Sequence, residues 1–270
     1  MGQAVWHVDQ RCPHLRDNRI VPAEGAPQNI YDDPRFFAGY AQMERFGSGW
    51  ELALEHVDFL ALLPSVQGRR VLDLGCGAGQ LALHLATAGA AEVIGIDLSE
   101  RMLKLARAER AHPRVSYQRV AIEDVTFPPE RFELVTSSLA FHYVADYAGL
   151  ARRIGGWLAP GGVLVYSTEH PIYTARLPHH GWVLDQQGER TGWVLDHYAD
   201  EGARQEHWFV SGVRKYHRTI ATLLNGLLEA GLVIERVVEP VPRDEQLRRR
   251  PQDLDERRRP MFLLVRARRA

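Results

Sequence analysis

The stretch "VLDLGCGAGQ", Val71 to Gln80, decides the fold. An aliphatic run carries Asp73 near its end, and Gly75, Gly77 and Gly79 follow in alternate positions. A short apolar run bounded by turn residues reads as a buried strand. Glycine between such a strand and a helix lets a ligand approach the backbone. A Walker phosphate loop is excluded, because no Gly-Lys-Ser/Thr follows. The dinucleotide fingerprint needs a helix-packing glycine where Gln80 stands. Asp73 also argues against a pyrophosphate, which a carboxylate repels, and for an ammonium group, which it attracts.

Outward from this loop the pattern alternates. Strands are expected at 71–74 and 92–97, in "RVSYQRV", "FELVTSS" and "GGVLVYSTE". Helices are expected at 79–88, from Ser99 to Arg110, and in "YAGLARRIGGWL". Ser99 is a suitable N-cap, and Glu100 suits the positive helix start. Strand-helix alternation of this kind implies a parallel sheet with helices on both faces. Upstream, "DDPRFFAGYAQMERF" reads as a short helix from Pro34. "GWELALEHVDFLALL" reads as an amphipathic helix with Leu52, His56, Phe59, Leu60 and Leu63 on one face.

Residues 169–217 interrupt the alternation with a polar and aromatic segment holding six histidines and three tryptophans. It is too long for a plain loop and is expected to form a cap. "TIATLLNGLLEAG" restores a helix, and "LVIERVVEPV" and "MFLLVRARR" are the closing strands. The Arg/Asp/Glu-rich link from Pro242 to Pro260 is expected to be a solvated loop.

The strand ends supply the chemistry. Asp97 ends the second strand in "VIGIDLS", where a carboxylate can accept two ribose hydroxyls. Glu123 and Asp124 follow the third strand in "RVAIEDV", placed to receive an adenine amine, with Asp124 the preferred partner. Ser137 and Ser138 end the fourth. A ligand with an ammonium group, a ribose and an adenine, but no phosphates, is S-adenosylmethionine.

On these residues the chain resembles the class I S-adenosylmethionine-dependent methyltransferases. "VLDLGCGAGQ", "GIDLS" and "AIEDV" are similar to the first three motifs of that superfamily. "NIYDDPRFFAGY", "SSLAFHYV", "STEHPIY" and "ERRRPMFLLV" resemble a bacterial group of the small-molecule type, extending the match over Asn29 to Arg268. The resemblance implies a Rossmann-like, seven-stranded, mostly parallel sheet with the last strand antiparallel. It implies that Asp73, Gly75, Cys76 and Gly77 surround the methionine moiety and that Asp97 holds the ribose. Leu98, Met102, Glu123 and Asp124 then belong to the nucleoside end, and Ser138 and Leu139 lie beside the sulfonium. Tyr31 and Tyr40 close over the cofactor, whose product form is S-adenosyl-L-homocysteine.

His142 follows the fourth strand, and Glu169 and His170 end the fifth. All three face the expected position of the methyl group and are candidates for substrate contact or for general base catalysis, which suits a histidine at neutral pH. Methyl transfer needs only in-line placement of nucleophile, carbon and sulfur, so no catalytic triad is required. His179, His180, His197, His207 and His217 show no i, i+4 pair of the metal-binding kind, and no metal is expected.

Composition narrows the class. The 270 residues carry a formal net charge of −1, which argues against a nucleic-acid partner. The position after the fourth strand reads "SSLAFHY", without the Pro-Pro-aromatic signature of adenine-amine methylation. Two cysteines, Cys12 and Cys76, fit a reducing, cytoplasmic compartment. No run of 18 apolar residues suggests a membrane span. Residues 1–28 are expected to be a loosely ordered extension preceding one domain over 29–270. The expected function is methyl transfer to a small-molecule acceptor. The alternatives are a nucleic-acid or protein methyltransferase and, behind them, a nicotinamide-dependent oxidoreductase.

Overall fold

A computed structural model describes residues 26–43, 46, 53–175 and 181–270. The first five strands are β1 Arg70–Leu74, β2 Glu92–Asp97, β3 Val115–Arg119, β4 Phe132–Ser138 and β5 Leu158–Glu169. They run parallel in the order β5-β4-β1-β2-β3. Two short hairpins follow, β6 Trp182–Leu184 with β7 Arg190–Trp193, and β8 Gly202–Trp208 with β9 Val210–His217. β10 Leu232–Val238 and β11 Phe262–Arg269 complete a seven-stranded sheet, with β11 antiparallel to both β5 and β10. The expected Rossmann-like fold with an antiparallel last strand is therefore observed.

The helices are α1 Pro34–Tyr40, α2 His56–Leu62, α3 Gln80–Thr87, α4 Glu100–Glu109, α5 Tyr147–Trp157, α6 Pro171–Thr174, α7 Ile220–Glu229 and α8 Asp244–Arg249. Strand periodicity sorts the core into two layers. Leu72, Val135 and Leu164 point to one face, against Leu150 and Ile154 of α5 and Leu223 and Leu227 of α7. Val71, Leu134 and Val163 point to the other, against Phe59 of α2 and Leu81 and Leu85 of α3. Successive strand residues alternate in this way because their Cβ atoms leave opposite faces of the pleat.

Two expectations need correction. The amphipathic helix read over 49–63 is only seven residues long within the described chain and buries Phe59 and Leu62, while Leu60 and Leu63 are half-buried. Leu52 lies outside the described residues. Among its described residues the 169–217 segment holds α6 and the two hairpins, which have different neighbours. The 242–260 link is not a solvated loop: it forms α8 and a 3-10 turn over Pro251–Arg257, and it buries Arg259. The Arg259 guanidinium lies 4.3 Å from the Trp193 ring centre and 4.9 Å from that of Tyr173. A planar, weakly hydrated cation stacks well on aromatic faces. The β6–β7 hairpin is thus clamped to the C-terminal link. Of the 1–28 extension, only residues 26–28 are described, and Gln28 is hydrogen-bonded to Gly212 and Arg214 of β9.

Candidate active site

A cavity of about 430 Å³ opens at the carboxyl edge of the parallel strands. This is where open α/β sheets place ligands, and the volume suits a small-molecule site. Its floor is the glycine loop and the ends of β1, β2, β4 and β5. Its roof is the N-terminal segment with the β8–β9 hairpin. Phe36, Val210 and Val213 form a small core under this roof, with Tyr31, Tyr40, Tyr143 and Trp208 packed around it.

Asp73 is 1% exposed, on the same strand face as Val71. Its Oδ1 accepts from the Thr136 hydroxyl across the β1–β4 pair at 2.9 Å. Its Oδ2 is buried and has no protein partner. Burial pushes the carboxyl up to about 7, against the Thr136 hydrogen bond, which lowers it. Orphaned buried carboxylate oxygens are costly, and one facing a cavity marks a place for a ligand donor.

The loop beyond it turns through left-handed backbone, with φ of 72° at Gly75 and 53° at Gly77. A Cβ on Gly75 would stand 2.5 Å from the Ala140 Cβ, whereas one on Gly77 would meet nothing within 4 Å. Gly75 therefore permits close packing beneath the site, and Gly77 leaves open space above it. Burial also raises the Cys76 thiol, keeping it protonated.

Asp97 is held from two sides. Its Oδ2 accepts from the Gly77 N–H at 2.8 Å and its Oδ1 from the Ser99 N–H at 2.8 Å. Each carboxylate oxygen keeps a second lone pair for another donor. Ser99 caps α4 through Met102 N–H at 3.1 Å. Asp32, from the 3-10 turn Ile30–Asp32, caps the same helix by accepting from Ser99 Oγ and from the N–H groups of Glu100 and Arg101. That turn carries Tyr31, whose hydroxyl lies 3.3 Å from that of Tyr143. A capping acid from a distant segment has no local sequence signature, so Asp32 was not foreseen.

Most of the foreseen residues converge here. Tyr31, Tyr40, Asp73, Gly75, Cys76 and Gly77 line the cavity, as do Asp97, Leu98, Met102 and Glu123. Ser138, Leu139, His142 and Glu169 line it as well. Leu139 adopts φ 54°, rare for a residue with a Cβ. It is held there by its N–H donating to the Ser167 carbonyl at 3.0 Å and the Ser167 hydroxyl at 3.1 Å. Backbone strain of this sort persists where surrounding structure enforces it, commonly at functional sites.

Two foreseen residues are not brought in. Asp124 is exposed and does not line the cavity; Glu123 does, so the preference between them reverses. His170 is fully buried outside the cavity lining. Its Nδ1 accepts from the Ile172 N–H, capping α6, and its Nε2 lies 2.8 Å from Glu239 Oε1. Burial lowers its pKa more than Glu239 raises it. Both nitrogens are committed to structure, so it is no general base. His142 is 4% exposed, and its Nδ1 accepts from the Glu169 N–H at 3.4 Å. In the neutral ring the proton then sits on Nε2.

The far end holds residues that the sequence did not single out. Lys215 of β9, 2% exposed, donates to Glu169 Oε1 at 2.5 Å and to Glu206 Oε2 of β8 at 3.0 Å. Its ammonium lies 5.1 Å from the Trp208 ring centre. Burial works to lower the Lys215 pKa, but Glu169, Tyr143 and Glu206 outweigh it and hold the amine charged. Glu206 and Lys215 share one hairpin, but Glu169 reaches them from β5, 46 residues before Lys215, which periodicity cannot pair. Among the other histidines, His217 is tied to Thr174 and to the Tyr198 carbonyl, and His197 to Asp200. His179 and His180 lie outside the described residues. Among the described residues no group of three His, Cys, Asp or Glu side chains is placed to hold a metal.

Comparison with known proteins agrees with this geometry. Residues 71–162 match the model of a methyltransferase domain. An S-adenosylmethionine-dependent methyltransferase from Mesorhizobium loti is 46% identical, with a TM-score of 0.76 over 80% of this chain and 98% of that one. An uncharacterised protein of Haemophilus influenzae is 36% identical over 89% of this chain and 96% of its own length. The ubiquinone biosynthesis O-methyltransferase of Bordetella bronchiseptica is 39% identical, over 38% of this chain and 44% of its own length. The chain belongs to the S-adenosylmethionine-dependent methyltransferases, and its cofactor is S-adenosylmethionine. The residues present fit that group. Asp73 offers an unmatched buried oxygen, Asp97 two spare lone pairs, and Gly77 an open approach to the backbone.

Proposed function

We propose that the protein transfers a methyl group from S-adenosylmethionine to a small-molecule acceptor by direct in-line displacement. The observation that carries this is the end wall of the cavity. Lys215 and Glu206 leave 3% and 8% of their side chains exposed and Glu169 12%, under a roof formed by Tyr31, Tyr40 and Trp208. A recessed wall of this kind suits a compact acceptor better than a polymer. The cytoplasm, a reducing compartment, suits the free buried thiol of Cys76 in the glycine loop. Among the described residues no helix is long and apolar enough to cross a membrane.

When bound, the cofactor supplies an electrophilic methyl group on a positively charged sulfur. Asp73 receives the ammonium end, Asp97 the two ribose hydroxyls and Glu123 the adenine amine. Leu139 and Ser138 hold the backbone beside the reacting carbon. Tyr31 and Tyr40 exclude water above it. His142, whose Nδ1 accepts from the Glu169 N–H, lines the acceptor end of the cavity and orients the acceptor there. Positioning alone can contribute roughly 7–11 kcal/mol to such a reaction.

The test is transfer from methyl-labelled S-adenosylmethionine to a cell extract separated into low-mass and macromolecular fractions. The reading expects label in the low-mass fraction. Label confined to RNA or protein would overturn the small-molecule assignment.

A further inference from the structure

We propose that Arg153 of α5 is a positioning residue for the cofactor: it fixes the Glu123 carboxylate at the adenine amine, so that a nucleoside lacking that amine is rejected. The proposal rests on the methyltransferase reading of this cavity and adds the residue that sets its discrimination at the nucleoside end.

The turn after β3 carries the adenine end. Ala121, Ile122 and Glu123 line the cavity, whereas Asp124 does not. The carbonyls of residues 121–123 are all committed. That of Ala121 accepts from the N–H groups of Asp124 and Val125, at 3.1 and 3.2 Å. Those of Ile122 and Glu123 accept from one guanidinium, at 3.3 Å from Arg153 Nη2 and 2.6 Å from Arg153 Nη1. Rotating either peptide would break a charge-assisted hydrogen bond. A planar fork loses little freedom for each bond it makes, which suits it to hold two carbonyls at once.

Arg153 is itself held. It stands four residues before Trp157 on α5, and so on the same helix face. Its guanidinium lies 6.0 Å from the Trp157 ring centre. Trp157 in turn packs edge-on against Phe127 at 5.5 Å. One helix therefore grips this segment at two points, residues 122–123 and residue 127. Burial raises the Glu123 carboxyl, and the nearby positive charge of Arg153 works against that rise. Arg153 acts on Glu123 through backbone and through charge, without lining the cavity.

The consequence is selectivity. A carboxylate accepts from an amine and repels a carbonyl oxygen. In hypoxanthine an oxygen replaces the amine of adenine, while the adjacent ring nitrogen gains a hydrogen. A carboxylate free to move could shift to that N–H and recover the lost bond. One held by Arg153 cannot follow, and a site left with an unpaired polar group rejects its ligand.

The experiment is calorimetry on the full-length protein with S-adenosylhomocysteine and its deaminated analogue, S-inosyl-L-homocysteine. The parent is expected to bind S-adenosylhomocysteine at least about tenfold more tightly than the analogue. Arg153→Met, which keeps a good helix former, should bring the two within about threefold. Glu123→Gln should lose the preference by itself, and Arg153→Met added to it should change the ratio no further. Thermal unfolding is followed in parallel. A merely structural role would lower the melting temperature and weaken both ligands equally, leaving the ratio at its parental value. If Arg153→Met does not fold, Arg153→Lys is read in its place. It keeps the charge but not the planar fork, and should reduce the ratio in the same direction. The proposal is wrong if the parent does not prefer S-adenosylhomocysteine over the analogue or if the preference survives in Glu123→Gln. It is equally wrong if the preference is unchanged in the folded Arg153 variant. Failure of S-adenosylhomocysteine itself to bind the parent would instead overturn the assignment of the cavity as the methyl-donor site.

Discussion

Asp32 accepts a 2.6 Å hydrogen bond from the hydroxyl of Ser99, and the N–H of the same Ser99 donates at 2.8 Å to Asp97. The N-terminal turn that bears Tyr31 is thereby joined to the carboxylate assigned to the ribose. Roof and floor of the cavity meet at one serine.

Loss of this link should be felt in both stability and binding. Asp32→Ala removes a cap of α4, an effect of about 1 kcal/mol in typical helices. Burial raises the Asp32 pKa, but hydrogen bonds from Ser99, Arg101 and Asn29 lower it further, so it is depressed overall. A depressed carboxyl contributes stability that is present above its ordinary range and lost as pH falls. Denaturant unfolding from neutral to acid pH should therefore show a shallower acid loss in Asp32→Ala than in the parent. Identical pH profiles would show that the link contributes nothing.

Asp97→Ala should lower S-adenosylhomocysteine affinity by at least about tenfold, since hydrogen bonds to a charged group contribute roughly 1.5–3 kcal/mol each. Calorimetry measures it directly, with circular dichroism confirming the fold. Unchanged affinity would move the ribose elsewhere.

Asp73 predicts a proton signal. Its folded pKa is raised to about 7 by burial, so the empty protein binds more protons than the unfolded chain between the ordinary carboxylate range and neutrality. Its contribution to stability is favourable at the acid end of that window and declines as pH rises toward 7. An incoming ammonium group favours the ionised form, so cofactor binding near neutral pH should release protons. Titrations in buffers of different ionisation enthalpy will detect the release, and Asp73→Asn should abolish it. Equal proton release in that variant would exclude Asp73 as the source.

Gly75→Ala should destabilise the protein by about 1–3 kcal/mol, the usual range for overpacking. The new methyl would stand 2.5 Å from the Ala140 Cβ, on backbone with φ 72°. Thermal unfolding will test this, and an unaltered melting temperature would mean that the loop relaxes freely.

What the sequence made legible follows from locality. Asp73, Gly75, Gly77 and Asp97 sit at fixed offsets from strand ends, so strand periodicity alone brings them to one edge. Ser99 announces its cap because capping acts within three residues. Asp32, Glu206 and Lys215 gain their roles from partners on other elements, and nothing in their neighbours distinguishes them from solvated charges. His170 misled for a related reason: it is adjacent to Glu169 in sequence, but α6 begins there and turns its ring toward Glu239. Arg259 misled because its arginine-rich neighbours are exposed, while Trp193 and Tyr173 reach it from a different segment.

The most direct test of the account is a crystal structure of the S-adenosylhomocysteine complex. The account predicts both ribose hydroxyls within hydrogen-bonding distance of Asp97 and the amino group of the homocysteine at Asp73 Oδ2. It predicts the sulfur beside Leu139, facing the side of the cavity closed by Glu169 and Lys215. A ribose bound away from Asp97, or a sulfur turned from Glu169 toward solvent, would contradict it.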